Sequence, residues 1–140
     1  MAILGTRYLV DKSALARMRL ESVQRRLIPL IESKSVATCS IVDLEVLYSA
    51  RNHEEHSKIR RRRHLSYHHV PLNEETFQRA IEVQGKLAER GRHRLPIQDL
   101  IIAAAAELAD LTVLHYDSDY DVIAQVTQQS CEWVVPRGSL

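Results

Sequence analysis

Four acidic residues stand beside apolar sequence, where a carboxylate is costly unless it has work to do. Asp11 closes the run RYLVD, Glu45 lies in SIVDLEVLYSAR, and Asp99 opens LPIQDLIIAAAAELA. Asp117 follows TVLHY, with Asp119 and Asp121 at the next alternate positions. Two carboxylates brought to about 4 Å repel by on the order of 1 kcal/mol in water and about 4 kcal/mol at an effective dielectric of 20. If the fold gathers all four, it needs a cation. Carboxylate oxygens completed by water suit Mg²⁺, or Mn²⁺, better than Zn²⁺, which favours His and Cys. A divalent ion held in this way lowers the pKa of bound water and neutralises phosphoryl oxygens, the equipment of a nuclease. Structural readings stay open beside this one. A helix N-terminus favours a carboxylate by roughly 0.3–1 kcal/mol, which is a sufficient role for Asp121 and an available one for Asp99. Glu45 adjoins an apolar stripe through Ile41, Leu44, Leu47 and Tyr48 and can be a solvated flank.

The elements that must position these acids alternate between strand and helix. RYLVD reads as a strand ending in Asp11, followed by helix formers with Ser13 as the cap. VQRRLIPLIES has helical periodicity with Pro29 as a kink or break. SVATCS is a strand leading into a helix capped by Ser40. Residues 53–66 are polar and helix-competent, HHVPL is a short strand, and residues 73–91 form a long amphipathic helix from an Asn73 cap to Gly91. The segment from Pro96 is so apolar that it must be the buried central helix. TVLHY is then a strand, DYDVIAQVT a helix and EWVV a last edge strand. Such alternation implies a parallel sheet covered on both faces, with ligands outside the carboxyl ends of the strands, where Asp11 and Asp117 fall.

The chain of 140 residues is the size of one domain, and no stretch has the biased composition that prevents a packed core. The start MAILGTRYLVD lacks a signal-peptide pattern, and no apolar run is long enough to span a bilayer. Cys39 and Cys131 lack metal-type spacing, so the cytoplasm is the expected compartment. The net charge of +1 conceals segregation: KIRRRR at 58–63 is strongly basic and the aspartates gather near the C-terminus. KIRRRR can contact RNA phosphates or be a solvated helix face with Glu54 and Glu55 as counter-charges. Arg92 and Arg94, in GRHRLP just before Asp99, are candidate substrate contacts or a plain basic loop. HEEH at 53–56 lacks the further His or Cys of a zinc set, and His115 fills a strand end or tunes a proton. Leu15, Met18, Leu20, Leu27, Leu30 and Ile31 have helical spacing, as core or as the groove for a partner helix. The tail VVPRGSL resembles a thrombin cleavage sequence and receives no function.

YLVDKSAL, SIVDLEVLYSAR, LPIQDLIIAAAAELA and VLHYDSDYDVIA, in this order and spacing, resemble the four acidic motifs of PIN-domain proteins, specifically the VapC toxins of toxin–antitoxin pairs. The resemblance runs from about residue 7 to the C-terminus. It implies a three-layer α/β/α sandwich around a mainly parallel sheet, formed by residues 1–140 as a single domain. It implies a Mg²⁺-dependent endoribonuclease, with Mn²⁺ as a substitute, that hydrolyses RNA phosphodiesters by activated water. The partners implied are the RNA substrate, a cognate VapB-like antitoxin and a second copy of the chain. Carried over by position, the catalytic acids are Asp11, Glu45, Asp99 and Asp117. The metal ligands are Asp11, Asp99, Asp117 and Asp119, with Ser13 orienting Asp11 or a ligand water. Lys12 departs from the family, which has Thr or Ser there. A receiver domain would need an acceptor aspartate after strand three, and a haloacid-dehalogenase-type phosphatase an aspartate where Ser13 stands. A PIN nuclease without an antitoxin and an inactive binding module remain as alternatives.

Overall fold

Short β-rich runs form the sheet. In a computed structural model that describes residues 5–140, they are β1 (Tyr8–Val10), β2 (Val36–Thr38), β3 (His68–His69), β4 (Thr112–His115) and β5 (Cys131–Trp133). Residues 1–4, which belong to the segment tested above for a signal peptide, lie outside the described residues. The strands pair in the order β3-β2-β1-β4-β5, every pair parallel. Parallel neighbours cannot be joined by tight turns, so each connection carries a helix. These are α1 (Lys12–Leu15), α2 (Glu21–Glu32), α3 (Ser40–Leu47), α4 (His53–Ser66), α5 (Glu74–Ala88), α6 (Ile97–Leu108) and α7 (Asp119–Thr127).

Alternation along the strands divides the core in two. Leu9, Ala37 and Val113 pack with Val42, Val83, Ile102 and Ile123 from α3, α5, α6 and α7. Tyr8, Val10, Val36 and Leu114 pack on the opposite face with Ala14 of α1 and Val23 and Leu27 of α2. The result is the three-layer α/β/α sandwich, with a sheet that is wholly parallel. Helix α6 is the buried one: Asp99 through Ala106 are all buried, and the run Ala103–Ala106 permits close approach of its neighbours.

Several local expectations are corrected. Asp11, not Ser13, caps α1, because its carboxylate reaches the Ser13 N–H from the end of β1. Ser40 is the first residue of α3, and Cys39 before it occupies the cap position without a side-chain bond. Pro29 does not break α2, whose cap lies beyond it at Ser33. The backbone bond that Pro29 cannot donate falls on the exposed face, where water can serve the freed carbonyl. Leu27 is fully buried core, and Leu15, Met18, Leu20, Leu30 and Ile31 pack against that core while remaining partly exposed. Asn73 caps α5 as expected, through a reciprocal box with Thr76.

Candidate metal centre and active site

The strand order sets the place of the site. The chain leaves β1 towards β2 and β3 on one side, while β4 and β5 lie on the other, so β1 and β4 flank the topological switch point. Asp11 ends β1, and its N–H bonds to the Leu114 carbonyl of β4 at 2.9 Å. Asp117 follows β4 by two residues and Asp119 opens α7. Asp99 stands in the first turn of α6, and Glu45 approaches from α3.

Three of these acids converge closely: one carboxylate oxygen each from Asp99, Asp117 and Asp119 lie within 4.8 Å of one another. Asp11 is outside that triplet and is tied to it by Tyr120. The Tyr120 hydroxyl, buried in α7, lies 2.8 Å from Asp11 Oδ1 and 3.3 Å from Asp99 Oδ1. One hydroxyl proton cannot serve both carboxylates. When it is donated to Asp11, the contact to Asp99 is attractive if Asp99 carries its own proton and the hydroxyl oxygen accepts it. Burial, with the negative charges of Asp11, Asp117, Asp119 and Glu45, pushes the Asp99 carboxyl up to about 8, so that state prevails at neutral pH without a cation.

Two buried carboxylate oxygens have no partner. Asp99 is only 7% exposed, and its Oδ2 is buried without a hydrogen bond; Glu45 Oε1 is in the same position. Asp99 makes no cap bond at the start of α6, and Glu45 is half-buried rather than a fully solvated flank. Burial and the charge of Asp11 raise Glu45, and the charge of Lys12 partly offsets them. Burial and Asp117 raise Asp119, while a hydrogen bond with Asp99 and, more weakly, the charge of Arg92 act in the other direction. An orphaned buried carboxylate oxygen amid oxygen-only donors is what a hard divalent cation fits. Asp99, Asp117 and Asp119 are the residues that can hold it, with Asp11 and Glu45 beside them.

The supporting residues act through backbone geometry. Ser13 Oγ accepts from the Tyr116 N–H at 2.9 Å, fastening the start of α1 to the end of β4. Asp117 Oδ1 accepts from the Asp119 N–H at 2.9 Å, closing the turn into α7. Arg92 and Arg94 are exposed and line one surface depression with Leu95, and only Arg92 is linked to an acid of the site. Tyr120 escapes sequence reasoning; its spacing of one residue from Asp119 is the available signal.

His115 and Asp121 have other duties. Asp121 accepts from Trp133 Nε1 at 3.1 Å and from the Cys131 thiol, joining α7 to β5, which is more than the helix-dipole role expected of it. His115 is fully buried between Tyr120 and Trp133, and burial lowers its pKa. Its Nδ1 accepts from the Asp117 N–H at 3.1 Å, so the neutral ring carries its proton on Nε2. That leaves no ring lone pair for a metal, although His115, Asp121 and Cys131 stand close enough to suggest one.

An acidic cluster at the switch point of a parallel α/β/α sandwich defines the class, and the PIN domain profile matches residues 8–126: the chain belongs to the PIN domain family. Within it, the chain is similar to Ribonuclease VapC21 of Mycobacterium tuberculosis, 44% identical over 135 residues that cover 96% of this chain and 98% of the relative. It is 41% identical to Ribonuclease VapC51 of the same organism over 140 residues, 98% of this chain and 99% of the relative. Among solved structures, DNA-bound VapBC from Salmonella typhimurium superposes with a TM-score of 0.75 at 14% identity, covering 93% of this chain and 99% of that one. VapBC2 from Rickettsia felis, bound to a promoter DNA fragment, gives 0.73 at 16% identity over 89% and 96%. At such identities the structural likeness speaks for the fold.

Proposed function

We propose that residues 1–140 act as one unit, a Mg²⁺-dependent endoribonuclease toxin of the VapC kind restrained by a VapB-like antitoxin. The observation that carries this reading is Asp99, a buried carboxylate with an orphaned oxygen among four other acids. Asp99, Asp117 and Asp119 hold the ion and Asp11 completes its surroundings, with Mn²⁺ as the substitute. When bound, such an ion neutralises phosphoryl charge and makes a water nucleophilic near neutral pH.

The chain's own residues do the rest. Tyr120 fixes Asp11 against Asp99, and the Ser13 N–H fixes the other oxygen of Asp11 at 2.9 Å. Glu45 Oε1, unpartnered and on a carboxyl raised by burial and Asp11, takes the proton of the attacking water. No side chain acts as a nucleophile. Arg92 and Arg94 bind phosphates of the RNA at the mouth of the site. Among the described residues no helix is long and apolar enough to cross a membrane; the cytoplasm, where RNA and antitoxin meet, is the proposed compartment. A second copy of the chain covers the exposed apolar side chains Leu44 of α3, Tyr48 just after it, and Phe77 and Ile81 of α5.

The test is purified protein with structured and single-stranded RNAs, in Mg²⁺ or EDTA, beside Asp99→Asn. Cleavage in Mg²⁺ alone, abolished in the variant together with calorimetric Mg²⁺ binding, is expected. Cleavage in EDTA, or full activity of the variant, refutes the assignment. A small reading frame next to the gene is expected, and co-expression with its product, which must suppress cleavage and co-purify, tests the antitoxin.

A further inference from the structure

On the far side of α3 from the acids lies a basic cavity of about 520 Å³. Asp43 and Glu45 are two residues apart, about 200° around the helix, so they face different neighbours. Glu45 feels the charge of Asp11, while Asp43 bonds to Arg63 at 2.7 Å and to His69 at 3.1 Å. The cavity opens above that pair, between α3 and α4 at the carboxyl ends of β2 and β3. From α4 it is lined by Ser57, Arg60, Arg61 and His64, and from α3 by Ser40, Asp43 and Leu47.

The spacing on α4 is that of one helical face, at i, i+3, i+4 and i+7. Arg60, Arg61 and His64 are exposed, so the cavity is an open groove in the surface. Its wall sets two arginines and a histidine at positions where like charges repel. Neighbouring charges do not absorb them. Arg63 takes Asp43, Glu54 pairs with Lys58 and Glu55 with Arg51, while Arg60, Arg61 and Arg62 have no ion-pair partner among the described residues. The remaining polar groups at the wall are Ser40, Ser57 and His69, the last already bonded to Asp43.

We infer that this cavity is an anion subsite for the RNA strand, binding the phosphates that flank the scissile one through Arg60, Arg61 and His64. The inference rests on the ribonuclease reading and extends it. Strands are spaced by about 4.8 Å, so the ends of β2 and β3 lie roughly 5 and 10 Å along the sheet edge from the end of β1. A single strand held at Asp11 and Asp99 thus passes over the cavity on this side and over Arg92 on the other. Arg62, on the same helix but outside the cavity, carries the same charge and makes no such contact.

The experiment uses a fluorescent pool of random-sequence single-stranded RNA and the full chain in the Asp99→Asn background, so that binding is read without cleavage. Arg60→Gln with Arg61→Gln is expected to weaken binding roughly tenfold and to flatten the log–log salt slope by about 1.4, because each phosphate that an arginine neutralises on a single strand adds about 0.7 to it. Arg62→Gln should change affinity less than about twofold. With Asp99 restored, the double variant should raise KM and leave kcat unchanged, and equal melting temperatures show that the fold persists. Equal effects of Arg62→Gln and Arg60→Gln would mean a diffuse field and overturn the subsite. So would unchanged RNA binding in the double variant, or a defect in polyglutamate binding alone, which would assign the cavity to an acidic protein segment. Wild-type protein that neither binds nor cleaves RNA defeats the ribonuclease reading and this subsite together. Wild-type protein that cleaves while the double variant is unaffected defeats the subsite alone.

Discussion

Asp43 and Asp99 stand on opposite sides of α3, and their surroundings give them opposite fates. Asp43 has its cations built in, Arg63 at one oxygen and His69 at the other, and Arg63 also donates to Thr38 of β2. Arg63 is 6% exposed, so this group anchors α4 to the sheet edge. Asp99 is buried more deeply than Asp43, yet its surroundings are a tyrosine hydroxyl and further acids. A carboxylate matched by the protein's own charge is architecture. One left without that match stays protonated or awaits an external cation. The contrast separates two sets of charged residues that composition alone would merge.

The largest effect is expected at Asp99. Asp99→Asn keeps the shape and removes the ligand charge, so cleavage should fall below detection in a gel assay while the circular dichroism spectrum is kept. On the other side, Arg63→Ala leaves the half-buried Asp43 with only His69 and removes the bond to Thr38, and should cost about 1–3 kcal/mol in urea unfolding. Mg²⁺ affinity should barely change there. If Arg63→Ala is neutral for stability, Asp43 is not the structural member of the comparison.

Tyr120→Phe is a smaller change. Removing the hydroxyl that aligns Asp11 with Asp99 should weaken Mg²⁺ binding by roughly 10–100-fold in calorimetry, as for other residues that orient metal ligands. Unchanged affinity would reduce the contact to packing. The pH dependence is the mildest test. With its folded-state pKa raised to about 8, Asp99 binds more protons when folded than when unfolded across the interval from its ordinary value of 3.8. Stability in EDTA is therefore present in full at low pH and is lost as pH rises towards 8. Going from pH 6 to pH 8 should lower the melting temperature by roughly 2–8 °C, and Asp99→Asn should remove that slope. Mg²⁺ affinity should move in the other direction, rising with pH as the bound proton becomes easier to displace.

Much of this is legible in the chain. The triplets YLV and VAT, the buried run after Pro96 and the Asn73 cap are local signals, and each element forms where its own residues place it. KIRRRR shows where local reading stops. As sequence it is one solvated or RNA-facing run, yet the helix turns Arg63 into the protein and Arg60 and Arg61 into a cavity, leaving Arg62 outside. Of the counter-charges expected for it, Glu54 does pair with Lys58 of this run, whereas Glu55 pairs with Arg51 and neither reaches the arginines. Tyr120 is invisible because a tyrosine in an apolar helix reads as core until its hydroxyl has an address. Asp121 is likewise placed correctly in α7 by its neighbours, while its partners, Trp133 and Cys131, come from another strand.

By itself the sequence determined the alternation of strand and helix, the parallel sheet that follows from it, and the acids held at element ends, because periodicity and caps depend on neighbours a few residues away. The tertiary structure decided which acids share a cation site. Asp99, Asp117 and Asp119 meet while Asp11 is reached through Tyr120, and the orphaned oxygens of Asp99 and Glu45 exist only after folding. Charge acts through space and burial sets its strength, and both depend on residues distant in the chain.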